Sequence, residues 1–184
     1  MKRDICPVWI GHLLASSLRK LFQNPVTILS PYVKPGMTVL EIGPGMGFFS
    51  LPMAEMVGAQ GKIICVDLQE GMLKRLQARA QNAGLASRIE TRICQEHSLG
   101  LNDLNGAIDF TLAFAVVHEI PDADRVFAEI AVALKPAGKL LVSEPSFHVS
   151  AQNFEKTIAL AKQAGLRVIA TPRIRGGQSV TLQK

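Results

Sequence analysis

Three sets of residues have the types and spacing to do chemistry. The first is a glycine cluster, Glu41-Ile42-Gly43-Pro44-Gly45-Met46-Gly47. Its glycines let the chain turn sharply and let a ligand touch backbone where a Cβ would collide. A helix that begins after such a loop offers free N–H groups and a partial positive charge, suited to a carboxylate or a phosphate. The second is Asp67, 20 residues beyond Gly47, whose carboxylate can accept two hydrogen bonds from ribose hydroxyls. The third is the pair of acid–histidine neighbourhoods His118-Glu119 and Glu144 with His148. A histidine titrates near neutrality and can take a proton from a substrate. Each set also has a structural reading: a tight turn for the glycines, a loop-holding hydrogen bond for His118, and a loop or helix partner for Glu144.

These residues need elements to hold them. Apolar runs at 38–42, 62–68, 108–117 and 139–144 read as buried strands, and 88–94 as a strand by alternation. Helical spacing over 9–22, 48–57, 70–83, 122–134 and 153–164 places helices between them. Pro52 fits its helix only in the first turn. Residues 166–174 and 179–183 read as two last strands around Gly176-Gly177, a two-residue signal for a tight hairpin, so the final strand should be antiparallel. Strands alternating with helices predict an α/β fold, a Rossmann-like doubly wound seven-stranded sheet. It is mostly parallel with an antiparallel last strand, plus an N-terminal helix. The catalytic candidates then fall at the carboxyl ends of strands, where open α/β sheets bind ligands.

The chain has 184 residues and 48% hydrophobic content, enough for one ordinary core and too much for wholesale disorder. The expected layout is a single domain over 1–184, with a lid or substrate segment at 1–36 and a cofactor-binding core at 37–184. Net charge is +5. Residues 1–25 carry +3 and residues 167–184 carry +4, which leaves the body near neutral. Basic ends weakly suggest an acidic small-molecule acceptor. Cys6, Cys65 and Cys94 form no CxxC pair, so a reducing, cytoplasmic setting is expected. The Cys6/His12 and Cys94/His97 neighbours are too few for a metal set, and no metal is expected. No 18-residue apolar window exists, no membrane span is expected, and the first residues read as mature protein. Nothing in the sequence sets the oligomeric state.

The glycine cluster, with an acid two residues before its first glycine, resembles the motif of class I S-adenosylmethionine-dependent methyltransferases. GKIICVDLQEGML is similar to that family's second motif, which implies Asp67 for the ribose and Leu68 as an apolar flank for adenine. FAVVHEIPD is similar to the segment after the fourth strand in the small-molecule, ubiquinone/menaquinone-type branch, and LKPAGKLLVSEP to the approach to the fifth strand. The resemblance covers about residues 25–184 and implies methyl transfer from S-adenosylmethionine to a small molecule. The implied cofactor residues are Glu41, Gly43, Gly45, Gly47, Asp67, Leu68, Gln95 and Phe114, and the implied catalytic pair is His118 and Glu144. Where the family often has an acid after the third strand, this chain has Cys94-Gln95-Glu96; Gln95 is chosen because its amide oxygen can accept from the adenine amino group. Phe48-Phe49 adds an aromatic wall near the loop, and the first helix, with Trp9, would close over the pocket, with His12 either lining that lid or facing water.

Three other readings compete. A nicotinamide-dependent oxidoreductase would want Gly-x-Gly-x-x-Gly rather than Gly-x-Gly-x-Gly. An RNA methyltransferase would use the basic ends, but aromatics are only 5% and few rings are offered to bases, so a nucleic-acid partner is not expected. A non-catalytic cofactor-binding protein could share the fold.

Overall fold

The computed structural model describes residues 23–184. The expected first helix, with Cys6, Trp9 and His12, lies outside them. Two compact units are present, and each is described in turn.

In the first unit, a short helix α1 (Pro25–Leu29) leads into β1 (Thr38–Ile42), α2 (Ser50–Val57), β2 (Lys62–Asp67), α3 (Glu70–Asn82) and β3 (Ile89–Ile93). Asn24 caps α1 by accepting from the amides of Val26 and Thr27. The strands are parallel, with β1 against β2 and β2 against β3. Val39, Leu40, Ile63, Ile64 and Val66 are fully or nearly fully buried, as strands covered on both faces require. Met53 and Val57 of α2 and Leu73, Leu76 and Ala80 of α3 are buried with them. Each large aliphatic side chain so buried is worth roughly 1.5–3 kcal/mol. α2 begins two residues later than its apolar spacing predicts, because Gly47 to Phe49 still belong to the turn, and Pro52 then falls in its first turn as required.

The second unit runs through β4 (Ile108–Phe114), α4 (Ala123–Ala133), β5 (Leu134–Pro145), α5 (Ala151–Gln163), β6 (Arg167–Ala170) and β7 (Gly177–Gln183). β4 and β5 are parallel, while β7 runs antiparallel to both β5 and β6. The strand order is β3-β2-β1 in the first unit and β4-β5-β7-β6 in the second, seven strands that are mostly parallel with the final strand reversed.

Other boundaries also differ from the sequence pattern. β4 stops at Phe114 rather than 117, because Ala115 turns into left-handed backbone at φ 55°. β5 starts five residues earlier than expected, at Leu134, which pairs with Ile108. Its Lys135 ammonium meets Asp109 at 2.7 Å, and a Cβ on Gly138 would lie 2.9 Å from the Lys135 carbonyl. α5 starts at Ala151, capped by the Ser150 hydroxyl, which accepts from the Asn153 amide. β6 is only four residues long, so the last connection is six residues rather than the two-residue hairpin that Gly176-Gly177 suggests. Pro172 in that stretch has no N–H to give a ladder. Among the described residues, no helix is long and apolar enough to cross a membrane.

Two glycines separate packing from conformational freedom. At Gly61 a Cβ would lie 2.4 Å from the Val57 Cβ and 2.7 Å from the Met37 carbonyl, while at Gly71, in the first turn of α3, it would meet nothing within 4 Å. Gly61→Ala is expected to cost about 1–3 kcal/mol in thermal or denaturant unfolding. Gly71→Ala should be neutral or stabilising by up to about 1 kcal/mol.

Candidate functional site

β1 ends at Ile42, and the next five residues reverse the chain through backbone that side chains resist. Gly43, Gly45 and Gly47 have φ of 62°, 54° and 86°. The loop is stitched by the Gly43 amide donating to the Val66 carbonyl at 2.9 Å and the Gly47 amide donating to Pro44 at 3.0 Å. The remaining space differs along the loop. A Cβ on Gly47 would lie 2.4 Å from Leu76 Cδ1, so its far side is filled by α3. A Cβ on Gly45 would meet nothing within 4 Å, so that face is open to a ligand.

Asp67 ends β2 beside this loop. Its Oδ1 accepts from the Gln69 amide at 2.9 Å. Burial raises its pKa above the ordinary carboxylate value, while amides of Gln69, Gly45 and Leu68 pull the other way. The structure therefore brings Asp67 and Gly45 together, as the sequence implies. Leu68 keeps 41% of its surface exposed, an apolar flank at the strand end.

Glu41 is buried and serves the same turn from below. The Ser50 hydroxyl donates to its Oε2 at 2.5 Å, and the Cys65 thiol lies 3.9 Å from the same oxygen. Burial, then the Glu41 charge, push the Cys65 thiol well up, so it stays protonated and unreactive. Phe48 and Phe49 are both buried and pack edge to face at 4.9 Å.

In the second unit, His118 follows β4 in a short turn at Val117–Glu119, and Glu144 lies near the end of β5. Glu144 is 1% exposed and makes two bonds. Its Oε1 accepts from the Val117 amide at 2.8 Å, and its Oε2 meets His118 Nδ1 in a very short contact. His118 Nε2 is thereby left on the other side of the ring, 3.9 Å from Glu119. Hydrogen bonding to Glu144 raises the His118 pKa, burial opposes this, and the charges of Glu144 and Glu119 add to the rise.

His148 is exposed, and its ring lies 5.6 Å from that of His118 and stacks on Phe147 at 5.3 Å, with planes 28° apart. Phe147 is 84% exposed. The turn that carries these rings is pinned, since the amides of His148 and Val149 both donate to the Pro145 carbonyl. Neither Phe147 nor this stacking has a sequence signal beyond an aromatic residue after a strand. Gln95 sits in a tight turn where its amide and carbonyl pair with Ser98, and its side chain is exposed. Phe114 ends β4 half-buried. His97 pairs instead with Asp122 at 2.6 Å, ahead of α4. Among the described residues no His, Cys, Asp and Glu groups cluster to hold a metal.

Because the folded-state pKa of His118 is raised, its pairing with Glu144 stabilises fully below the ordinary histidine value. That contribution is lost as pH rises through the raised value. His118→Asn should therefore cost more stability at about pH 6 than at about pH 9. A difference independent of pH in paired melts contradicts the pairing.

A family model described as a methyltransferase domain matches residues 33–174. Ubiquinone/menaquinone biosynthesis C-methyltransferase UbiE of Escherichia coli K12 is 29% identical over 135 residues, covering 73% of this chain and 53% of that protein. The chain thus spans about half the length of the curated relatives it matches. Among solved structures, a SAM dependent methyltransferase from Aquifex aeolicus superposes with a TM-score of 0.86 at 22% identity, over 97% of this chain and 99% of that one. Aeropyrum pernix fibrillarin, in complex with natively bound S-adenosyl-L-methionine, gives 0.65 at 18% identity over 92% and 73%. At these identities the likeness of the two structures is one of fold.

Proposed function

This chain belongs to the methyltransferase-domain family, and from that premise we propose that it moves a methyl group from S-adenosylmethionine to a small-molecule acceptor. The observation that carries the reading is the Asp67 carboxylate at the end of β2, engaged by the amide of Gly45 in a left-handed glycine loop. This is the arrangement a nucleoside needs. An acid faces the ribose hydroxyls and a backbone face has room for close approach. The open side of Gly45 and the exposed flank of Leu68 fit the cofactor. Asp67 would hold the ribose, Leu68 would cover adenine, and Gly43, Gly45 and Gly47 would present backbone to the methionine end with Glu41 beneath them. Gln95 and Phe114 complete the adenine contacts in this proposal.

When bound, S-adenosylmethionine supplies a methyl group on a sulfonium that needs no further activation. The chain's own task is alignment, and acceptance of a proton where the acceptor must lose one. His118 is placed for that proton. Glu144 ties Nδ1 and fixes the ring, so Nε2 is the atom that can receive it. The raised pKa means that the neutral, proton-accepting form grows as pH rises through that value. Phe147 and His148 extend the ring surface away from His118, and we assign them to the acceptor side. Cytoplasmic residence belongs to the same proposal, in keeping with Cys65 and Cys94 being free.

Calorimetry tests the cofactor directly. S-adenosylhomocysteine should bind and NADH should not. Asp67→Ala should weaken binding about 10- to 100-fold, the worth of hydrogen bonds to a charged acceptor. Binding of NADH in its place overturns the reading. In a radiolabelled methyl-transfer screen of nuclease-treated metabolite fractions, Glu144→Gln should shift the rising limb of the pH–rate profile to lower pH. It removes the charge that holds the His118 proton.

A further inference from the structure

We propose that Arg79 is a positioning residue for the glycine loop, holding it from behind in the shape that receives a nucleoside cofactor. The proposal rests on the cofactor reading above for its ligand. Its geometry stands by itself.

Met46, between Gly45 and Gly47, is 5% exposed. A carbonyl at such a buried site needs a donor, and the left-handed glycines on either side remove it from any regular ladder. Arg79, near the end of α3 and 33 residues away, supplies one: its Nη1 donates to the Met46 carbonyl at 2.5 Å. One turn earlier on the same helix, Leu76 fills the space beside Gly47, where a Cβ would be 2.4 Å from its Cδ1. Residues three apart share a helix face, so α3 touches the loop with one charged and one apolar side chain.

The same helix begins three residues after Asp67, the last residue of β2. The Asp67 Oδ1 accepts the Gln69 amide, and Gln69 precedes the first residue of α3. The helix is thus tied to the acid at its start and carries the loop clamp near its other end. Moving the loop without Arg79 means leaving the Met46 carbonyl unpaired. With Arg79, the loop is fixed before the ligand arrives, and less ordering is lost on binding.

The chain contains its own control. Arg88 makes the same kind of bond, from Nη1 to the Ala54 carbonyl at 3.1 Å, but Ala54 lies in α2 and away from the loop. Removing either arginine deletes one guanidinium–carbonyl bond. Only Arg79→Ala should loosen the loop.

The test compares the parent with Arg79→Ala, Arg79→Lys and Arg88→Ala in the full chain. Two readings are taken: calorimetric titration with S-adenosylhomocysteine, and hydrogen exchange of the amides of Gly43, Gly45, Met46 and Gly47. We expect Arg79→Ala to weaken binding about tenfold and to speed loop exchange, while Arg88→Ala stays within roughly twofold of the parent in both. Arg79→Lys, with one flexible donor in place of the fork, should recover part of the loss. Equal binding and exchange in Arg79→Ala and the parent overturn the proposal, as does an equal effect of Arg88→Ala. If the parent itself fails to bind S-adenosylhomocysteine, the cofactor reading falls. Loop exchange unchanged in Arg79→Ala then overturns the clamp separately.

Discussion

Five residues after β1 carry the constraint on which the candidate site depends. To reverse the chain, Gly43, Gly45 and Gly47 all enter left-handed backbone. Glycines weaken ordinary structure by roughly 0.5–1 kcal/mol each relative to alanine. The loop keeps its shape because its polar groups are met: Gly43 by Val66, Gly47 by Pro44, and the Met46 carbonyl by Arg79. Asp67 completes the set by drawing the Gly45 amide toward a half-buried carboxylate. Below, the buried Glu41 is held by Ser50 at the start of α2. Strand end, loop, acid and helix are thus one connected polar system on an apolar base of Val39, Leu40, Ile63 and Ile64.

The second unit solves a similar problem with other residues. β4 is followed by Ala115, a non-glycine residue at φ 55°, whose amide donates to the Ser143 carbonyl at 2.7 Å. Strained backbone of this kind persists only where neighbours over-determine it. Here Glu144 does so, by accepting from both the Val117 amide and His118. Its 1% exposure makes that carboxylate costly without partners, and the two bonds account for it. The imidazole is oriented as a consequence.

Much of this was legible in the sequence because period and punctuation agree there. The buried runs of β1, β2 and β4, the glycine spacing and Asp67 each follow from local chemistry, and the order of elements gave the parallel sheet. The pairing of His118 with Glu144 joins residues 26 apart, so sequence could nominate both without showing that they meet. Arg79, Ser50 and Phe147 were not legible. An arginine on a helix, a serine near a helix start and a phenylalanine after a strand are all commonplace. Only the fold shows which carbonyl, carboxylate or ring each one faces. The early start of β5 escaped because Pro136 and Gly138 interrupt the apolar run ahead of 139–144, whereas pairing of Leu134 with Ile108 overrides them.

The most direct measurement is the carboxyl titration of Asp67 by carbon NMR, with and without S-adenosylhomocysteine. Burial raises its value in the free protein above that of an ordinary aspartate, against the pull of the neighbouring amides. A ribose bound to the ionised form must then lower that value, by linkage. A raised Asp67 that falls on adding the ligand is the predicted result. A value unmoved by saturating ligand would contradict Asp67 as the group that receives the nucleoside.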